Sequence, residues 1–236
     1  MPLTKSTGNM YDWITHKHSH LRGKCPHECH YCYVQAMEKR YGGGHYSGEL
    51  RLEEKELAVK YGEGKTIFVE HCNDLFAEVV DPSFIVAILD HCRRYPDNTY
   101  VFQSKNPGRM IGWVNYLPEK CMLGTTIEST MAHQAMGLVA PHPRERAQRI
   151  STLASTWCQR TFVTIEPIMD FDVKLMLEWM RWIAPDFINI GADSKGTGLE
   201  EPSADKILAL IDGIKGLGIE IKQKKNLERL IGKGVK

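Results

Sequence analysis

Five short runs rich in β-branched and aromatic residues recur along the chain: TIFVE (66–70), TYVFQ (99–103), CMLGTT (121–126), TFVTIE (161–166) and FINIG (187–191). Each has the length and composition of a buried strand. Segments with helical spacing fill the gaps: EEKELAVKY (53–61), DPSFIVAILDHCRRY (81–95), NPGRMIGWVNYL (106–117), HPRERAQRISTLASTW (142–157) and FDVKLMLEWMRWI (171–183). Two of them open on Asp-Pro or Asn-Pro, a helix-start signal. A strand within residues 11–22, and a helix from Tyr33 to Tyr41 ended by Gly42, Gly43 and Gly44, bring the count to at least six βα units. Such alternation dictates a parallel sheet with right-handed crossovers, either open and doubly wound or curled into a full or partial barrel.

In both architectures ligands bind at the C-terminal ends of the strands. The residues just beyond the predicted strands are polar: Glu70 to Asp74, Ser104-Lys105-Asn106, Thr126-Ile127-Glu128, Glu166-Pro167 and Gly191 to Ser194. The same edge receives GKCPHECHYCYV (23–34), which carries Cys25, Cys29 and Cys32 with His27 and His30 between them.

At 236 residues the chain predicts one domain over 1–236, somewhat short of a complete eight-stranded barrel. Its 42% hydrophobic and 25% charged residues are ordinary for a globular protein, and a net charge of +1 gives no broad preference for nucleic acid or anionic membrane. The opening MPLTKSTGNMYDW lacks a signal peptide's apolar core, and no run is long enough to span a bilayer. We therefore expect a cytoplasmic protein with no membrane partner. In that reducing compartment a tight cysteine group reads as a metal site rather than a disulfide framework. The basic segment 219–236 accommodates a further strand at 219–222 and a short helix, its lysines forming a solvated surface.

Three thiols leave two readings open. Zinc takes four ligands in a structural site, so His27, His30 or Cys72 would complete the set in a zinc-stabilised, non-catalytic binding protein. An iron-sulfur cluster also takes thiolates, and a missing protein ligand leaves one metal open to a cofactor.

Cys25-x3-Cys29-x2-Cys32, with Tyr31 before the last cysteine, resembles the signature of the radical S-adenosylmethionine (SAM) superfamily. QSKNPGRM (103–110), LGTTIES (123–129), TIEPIMDFD (164–172) and INIGADSKG (188–196), in this order, resemble a radical SAM family often described only as phage proteins and distantly akin to spore photoproduct lyase. The resemblance implies an α/β, single-domain partial (β/α)6-type TIM barrel with parallel strands. It implies that the three cysteines bind a [4Fe-4S] cluster and that SAM chelates the open iron. Reductive cleavage of SAM would then give a 5′-deoxyadenosyl radical, with flavodoxin or ferredoxin as electron donor. The substrate is unknown; a nucleic acid or nucleotide is favoured over a peptide or metabolite by the kinship and by the basic tail of Lys222, Lys224, Lys225 and Arg229. The chain departs from the family where Gly191-Ala192-Asp193-Ser194-Lys195-Gly196 replaces Gly-Gly-Glu-Ser-Gly, and in the histidine-rich stretch before the cysteines.

By the same resemblance Tyr31 lies against the adenine of SAM, and Asn73 and Asp74, with Glu70 close behind, receive its ammonium group. Asp74 equally suits a turn cap, and Asn106 a helix cap ahead of Pro107. Ser104 and Lys105 follow the next strand, where the lysine suits a carboxylate. Thr126, Glu128 and Glu166 share the rim; both glutamates are expected on ribose hydroxyls or an ammonium group, or paired with Lys105 and nearby arginines. Glu166 ranks above Glu128, because Pro167 holds it extended and aimed at the mouth. Cys72 reads as a buried thiol. His16, His18 and His20 share one face of an extended segment and are expected to be hydrogen-bonded or exposed rather than metal ligands.

Overall fold

The computed structural model describes residues 3–137, 139–156 and 160–232. Ten strands appear among them: β1 (Thr4–Lys5), β2 (His16–His18), β3 (Leu21–Arg22), β4 (Arg51–Leu52), β5 (Thr66–Val69), β6 (Thr99–Gln103), β7 (Cys121–Thr126), β8 (Arg160–Ile165), β9 (Phe187–Ile190) and β10 (Glu220–Gln223). The α-helices are α1 (Tyr33–Tyr41), α2 (Pro82–Arg93), α3 (Pro107–Ile111), α4 (Pro143–Thr156), α5 (Val173–Ile183), α6 (Ala204–Gly216) and α7 (Glu228–Ile231).

The main sheet has the order β1-β2-β5-β6-β7-β8-β9-β10, with β1 antiparallel and the other seven strands parallel. The order never reverses along the chain. Right-handed crossovers then place all the connecting helices on one face, the barrel arrangement rather than the doubly wound one. The edge strands do not pair, so the barrel is partial and open. Six helix-bearing crossovers join the seven strands, as the expected (β/α)6 plan requires.

Strand alternation sorts the core into two layers. Outward residues such as Ile67, Val69, Leu123, Val163 and Ile188 pack under the helices with Trp179, Ile150 and Leu210. Inward residues Phe68, Val101, Met122, Phe162 and Phe187 meet Tyr11 and Ile14 from the N-terminal segment. Phe162 and Phe187 stack at 5.2 Å, and Trp13 caps both edge-on at 5.6 and 5.1 Å. Each buried ring contributes about 1.5–3 kcal/mol of hydrophobic stabilisation, and together they form a dry floor to the barrel. Gly124 is required here, since a Cβ on it would sit 2.2 Å from the Phe162 ring.

Local chemistry explains the helix boundaries and several corrections. Asp81 and Asp172 cap α2 and α5, accepting from Ser83 N at 2.7 Å and Leu175 N at 2.8 Å. Asn106 makes no such cap; its amide donates to Glu78 at 3.1 Å, while Ser104 Oγ accepts its backbone N–H at 2.9 Å. The helix expected over 53–61 shrinks to a 3-10 turn, Glu54–Ala58, because Glu56 is drawn inward to Arg22 and His18. Helix α6 and the β3–β4 pair were not singled out by pattern. The C-terminal lysines are not a uniformly solvated stripe: Lys224 turns into the barrel mouth, Lys222 lies 5.0 Å over the Phe187 ring and Arg229 pairs with Glu201. Cys92 and Cys121 fill core space, and Cys158 lies outside the described residues.

Candidate functional site

The cysteine window is a tight loop between β3 and α1. Glu28 has φ 51°, a conformation that bends the chain back, so that Cys32 N donates to Cys29 O at 3.0 Å. The segment 135–137 clamps the loop: His30 N donates to Ala135 O at 2.9 Å and Cys29 Sγ to Met136 O at 3.2 Å. Gly137 approaches so closely that a Cβ on it would sit 1.8 Å from His27 O. Cys32 ends the loop as the first residue before α1.

All three cysteines line one cavity of about 480 Å³ at the mouth of the barrel. Burial first, then the Asp74 carboxylate and the neighbouring Cys29 and Cys32, push the Cys25 thiol up to about 12. Burial also raises Cys32. A metal that takes Cys25 and Cys32 as thiolates must therefore displace their protons.

The polar strand ends form the facing wall. Asn73, Asp74, Ser104, Lys105, Thr126 and Glu166 all line the same cavity, together with Tyr31. Glu70 ends β5 at φ 59° and is held there because its carboxylate accepts from His20 N at 2.6 Å and Leu21 N at 3.1 Å. Asn73 Nδ2 donates to Gly23 O at 3.1 Å, whereas its Oδ1 is buried without a hydrogen-bond partner. Asp74 accepts from Phe76 N at 3.0 Å, Lys105 N at 2.8 Å and His27 Nε2 at 2.8 Å. Burial alone would raise its pKa, and the His27 partner brings it below the ordinary value. Thr126 Oγ1 accepts from Gln103 Nε2 at 2.8 Å.

Glu128 lies beneath this wall, fully buried. Arg146 Nη1 holds one carboxylate oxygen at 2.7 Å; Lys105 Nζ lies 2.6 Å from the other, which also accepts from the Tyr31 hydroxyl. Burial opposes its ionisation, but Arg146 and then Lys105 hold it well below the usual carboxylate range. Lys105 also sits 4.8 Å over the Tyr31 ring and donates to Met136 O at 2.9 Å. Two cations against one carboxylate leave a buried positive charge next to the thiol loop.

Glu166 stands at the opposite lip, 2.9 Å from Lys224 Nζ and 3.4 Å from the amides of Asn9 and Asn226. Burial raises its pKa, and Lys224 partly offsets that. Gly191 gives it room, since a Cβ there would lie 2.8 Å from the Glu166 carboxyl carbon. In the stretch that departs from the family pattern, Asp193 folds the following loop by accepting from Lys195 N at 2.9 Å and Thr197 Oγ1 at 2.8 Å.

Of the other candidates, His30 Nε2 lies 3.3 Å from Thr197 O, while His27 keeps a buried, unpartnered Nδ1 in the cavity wall. Cys72 is buried, lines the cavity, and lies 3.2 Å from His71 Nε2. Sequence reasoning missed Gln103 and Arg146 and placed Lys224 only in a basic tail. Inward alternation on β6 and β10 was the signal for the first and last; nothing in the pattern marked Arg146, which reaches Glu128 from a helix.

A family model described as a protein of unknown function, DUF5131, matches residues 11–199. The chain belongs to this family. No curated protein sequence matches it. Among solved structures, a cysteine-to-serine mutant of spore photoproduct lyase superposes with a TM-score of 0.62 at 10% identity, over 93% of this chain and 81% of that one. A cysteine-to-alanine mutant of the same enzyme, with a dinucleoside spore photoproduct, gives 0.61 at 11% identity, over 94% and 81%. Streptococcus suis SuiB bound to its precursor peptide SuiA gives 0.62 at 8% identity, over 88% of this chain and 48% of SuiB, about half its length. The fold is shared with these proteins, so the expected likeness to spore photoproduct lyase holds as a likeness of fold. No helix among the described residues is long and apolar enough to cross a membrane.

Proposed function

We propose that the protein is a radical SAM enzyme in which Cys25, Cys29 and Cys32 hold a [4Fe-4S] cluster and SAM binds in the adjoining cavity. One observation carries the reading: the three thiols and the polar ends of β5, β6, β7 and β8 line the same cavity. The donor set fits the group, since closely spaced thiols are iron-sulfur ligands. Asn73 Oδ1, buried and unpaired in the wall, is an acceptor suited to an ammonium group. When bound, the reduced cluster supplies the electron that splits SAM into methionine and a 5′-deoxyadenosyl radical, which takes hydrogen from the substrate.

The chain's own residues set the conditions. Lys105, which shares the Met136 carbonyl with Cys29 Sγ, lends positive charge beside the thiol loop, and Arg146 with Lys105 holds Glu128 ionised beneath it. The aromatic floor of Trp13, Phe162 and Phe187 keeps water from the rear of the site, and Asn73, Asp74, Ser104, Thr126 and Glu166 offer the polar contacts that orient a bound cofactor. Tyr31 and Glu128 hold Lys105 in place. An external one-electron donor, flavodoxin or ferredoxin, and a cytoplasmic setting belong to the same reading.

A nucleotide or nucleic acid is the favoured substrate class. Its support is that spore photoproduct lyase, matched along four-fifths of its length, is known with a dinucleoside bound, whereas the peptide-bound SuiB is matched along 48% of its length. The basic tail lends little, because Lys224 and Arg229 are engaged by Glu166 and Glu201.

A rival reading, a Cys3His zinc site in a binding protein, is favoured by the unpaired His27 Nδ1 beside the loop. Iron, sulfide and zinc analysis of the anaerobically prepared protein, with an assay for deoxyadenosine, separates the two.

A further inference from the structure

Four side chains that the proposed chemistry does not use meet behind the end of β5: His18, His20, Tyr61 and His91, none more than 5% exposed. His18 comes from β2, His20 from the turn after it, Tyr61 from the loop before β5 and His91 from α2. One ring nitrogen from each histidine lies within 4.8 Å of the other two. The contacts run inward in series: His18 Nδ1 is 2.8 Å from the Tyr61 hydroxyl, that hydroxyl is 3.0 Å from His20 Nε2, and His20 Nε2 is 2.8 Å from His91 Nδ1.

The outer nitrogens are all committed. His18 Nε2 lies 3.0 Å from Glu56 Oε2, His20 Nδ1 2.6 Å from Glu70 Oε1 and His91 Nε2 2.8 Å from Val59 O. Carboxylates and carbonyls accept, so each outer nitrogen donates, and each neutral ring turns a lone pair inward. Three inward nitrogens and the phenolic oxygen thus converge on one point, where either a proton shared between His20 and His91 or a bound metal cation joins them. A cation satisfies all of them together. Imidazoles that bind zinc are oriented in this way, with the far N–H given to a carboxylate or backbone carbonyl.

The geometry points to a second metal site: zinc held by His18, His20 and His91, with the Tyr61 oxygen as fourth ligand, separate from the cysteine loop. Imidazole nitrogens suit zinc and not the oxygen-seeking magnesium or calcium. A tetrahedral site with metal-nitrogen bonds of about 2.0–2.1 Å has ligand-ligand edges of about 3.3 Å. The closest pairs need to open by only a few tenths of an ångström to reach that. Four protein ligands in a buried pocket leave no open position, so the role is structural. The metal ties β2 and α2 to Glu70 and so fixes the strand end that lines the cavity. The site does not depend on the radical SAM reading.

The test uses the full-length, tag-free chain with Cys25, Cys29 and Cys32 all replaced by Ala, produced with zinc supplied and dialysed against metal-free buffer. We expect about one zinc per chain, and cobalt in its place with tetrahedral d–d absorption and no sulfur-to-cobalt charge transfer. His91→Gln in the same background should lower retained zinc at least about tenfold. If these variants misfold, zinc-edge X-ray absorption on the wild-type chain reads the site through a shell of nitrogen and oxygen neighbours near about 2.0 Å. A triple-Ala chain that folds but holds no zinc, a His91→Gln chain that keeps it, or a wild-type chain that holds a single zinc bound through sulfur overturns the proposal. Loss of the radical chemistry alone leaves all of these readouts unchanged.

Discussion

Cys29 Sγ and Lys105 Nζ donate to the same carbonyl, that of Met136, at 3.2 and 2.9 Å. A lysine ammonium therefore sits one shared acceptor away from a thiol of the cysteine loop. A cation so placed favours the more negative, reduced state of a cluster bound there. Lys105→Met should shift the cluster's midpoint potential negative by on the order of 60 mV, a tenfold change in the one-electron equilibrium. Redox titration followed by electron paramagnetic resonance reads the shift, with iron content as the control for cluster loading.

Glu128 neutralises part of two buried cations, so its removal strands them. Glu128→Gln should destabilise the fold by about 3–5 kcal/mol, measured by urea unfolding. The same carboxylate makes stability pH-dependent. Its folded-state pKa is depressed, so its contribution is complete above the ordinary value of 4.5 and is lost progressively as the pH falls below that. Unfolding midpoints should decline below that value in the wild type, and less steeply in Glu128→Gln.

Two glycines probe the loop and the barrel floor independently. Gly137 has φ 96° and would drive a Cβ into His27 O, so Gly137→Ala should disturb the clamp on the cysteine loop and lower iron retention while far-ultraviolet circular dichroism stays near wild type. Gly124→Ala strikes the Phe162 ring in the floor and should cost about 1–3 kcal/mol in stability.

Asn73 offers an unpaired buried acceptor to the cavity. Asn73→Ala should weaken SAM binding roughly tenfold, the scale of one charge-assisted hydrogen bond. Equilibrium binding to the cluster-loaded protein measures this, and iron per chain should be unchanged.

How much of this was readable before folding depends on sequence distance. The strand over 121–126 was legible to the residue, because a buried run of that length between helical segments has few alternatives. The polar wall followed from the same logic, since residues past parallel strand ends converge whatever their spacing. Glu128 shows the limit: position put it on the rim, but burial took it beneath, because Arg146, 18 residues away on α4, meets it there. The histidine group was less legible still. The run at 16, 18 and 20 suggested one shared face, yet His16 bonds Thr15 locally, and the partner of His20 is His91, 71 residues on. Periodicity carries no information about such a contact. The segment 53–61 erred for a related reason, since its helical spacing yielded to the buried ion pair of Glu56 with Arg22.

The central claim is that Cys25, Cys29 and Cys32 hold a redox-active cluster for SAM. The most direct test is anaerobic reconstitution with iron and sulfide, followed by metal analysis and reduction in the presence of SAM, with Cys29→Ala alongside. We expect about four iron and four sulfide per wild-type chain, with 5′-deoxyadenosine released on reduction, and neither in a Cys29→Ala chain that still folds. Zinc bound by these cysteines in place of iron, with no reducible chromophore and no deoxyadenosine, would contradict that claim.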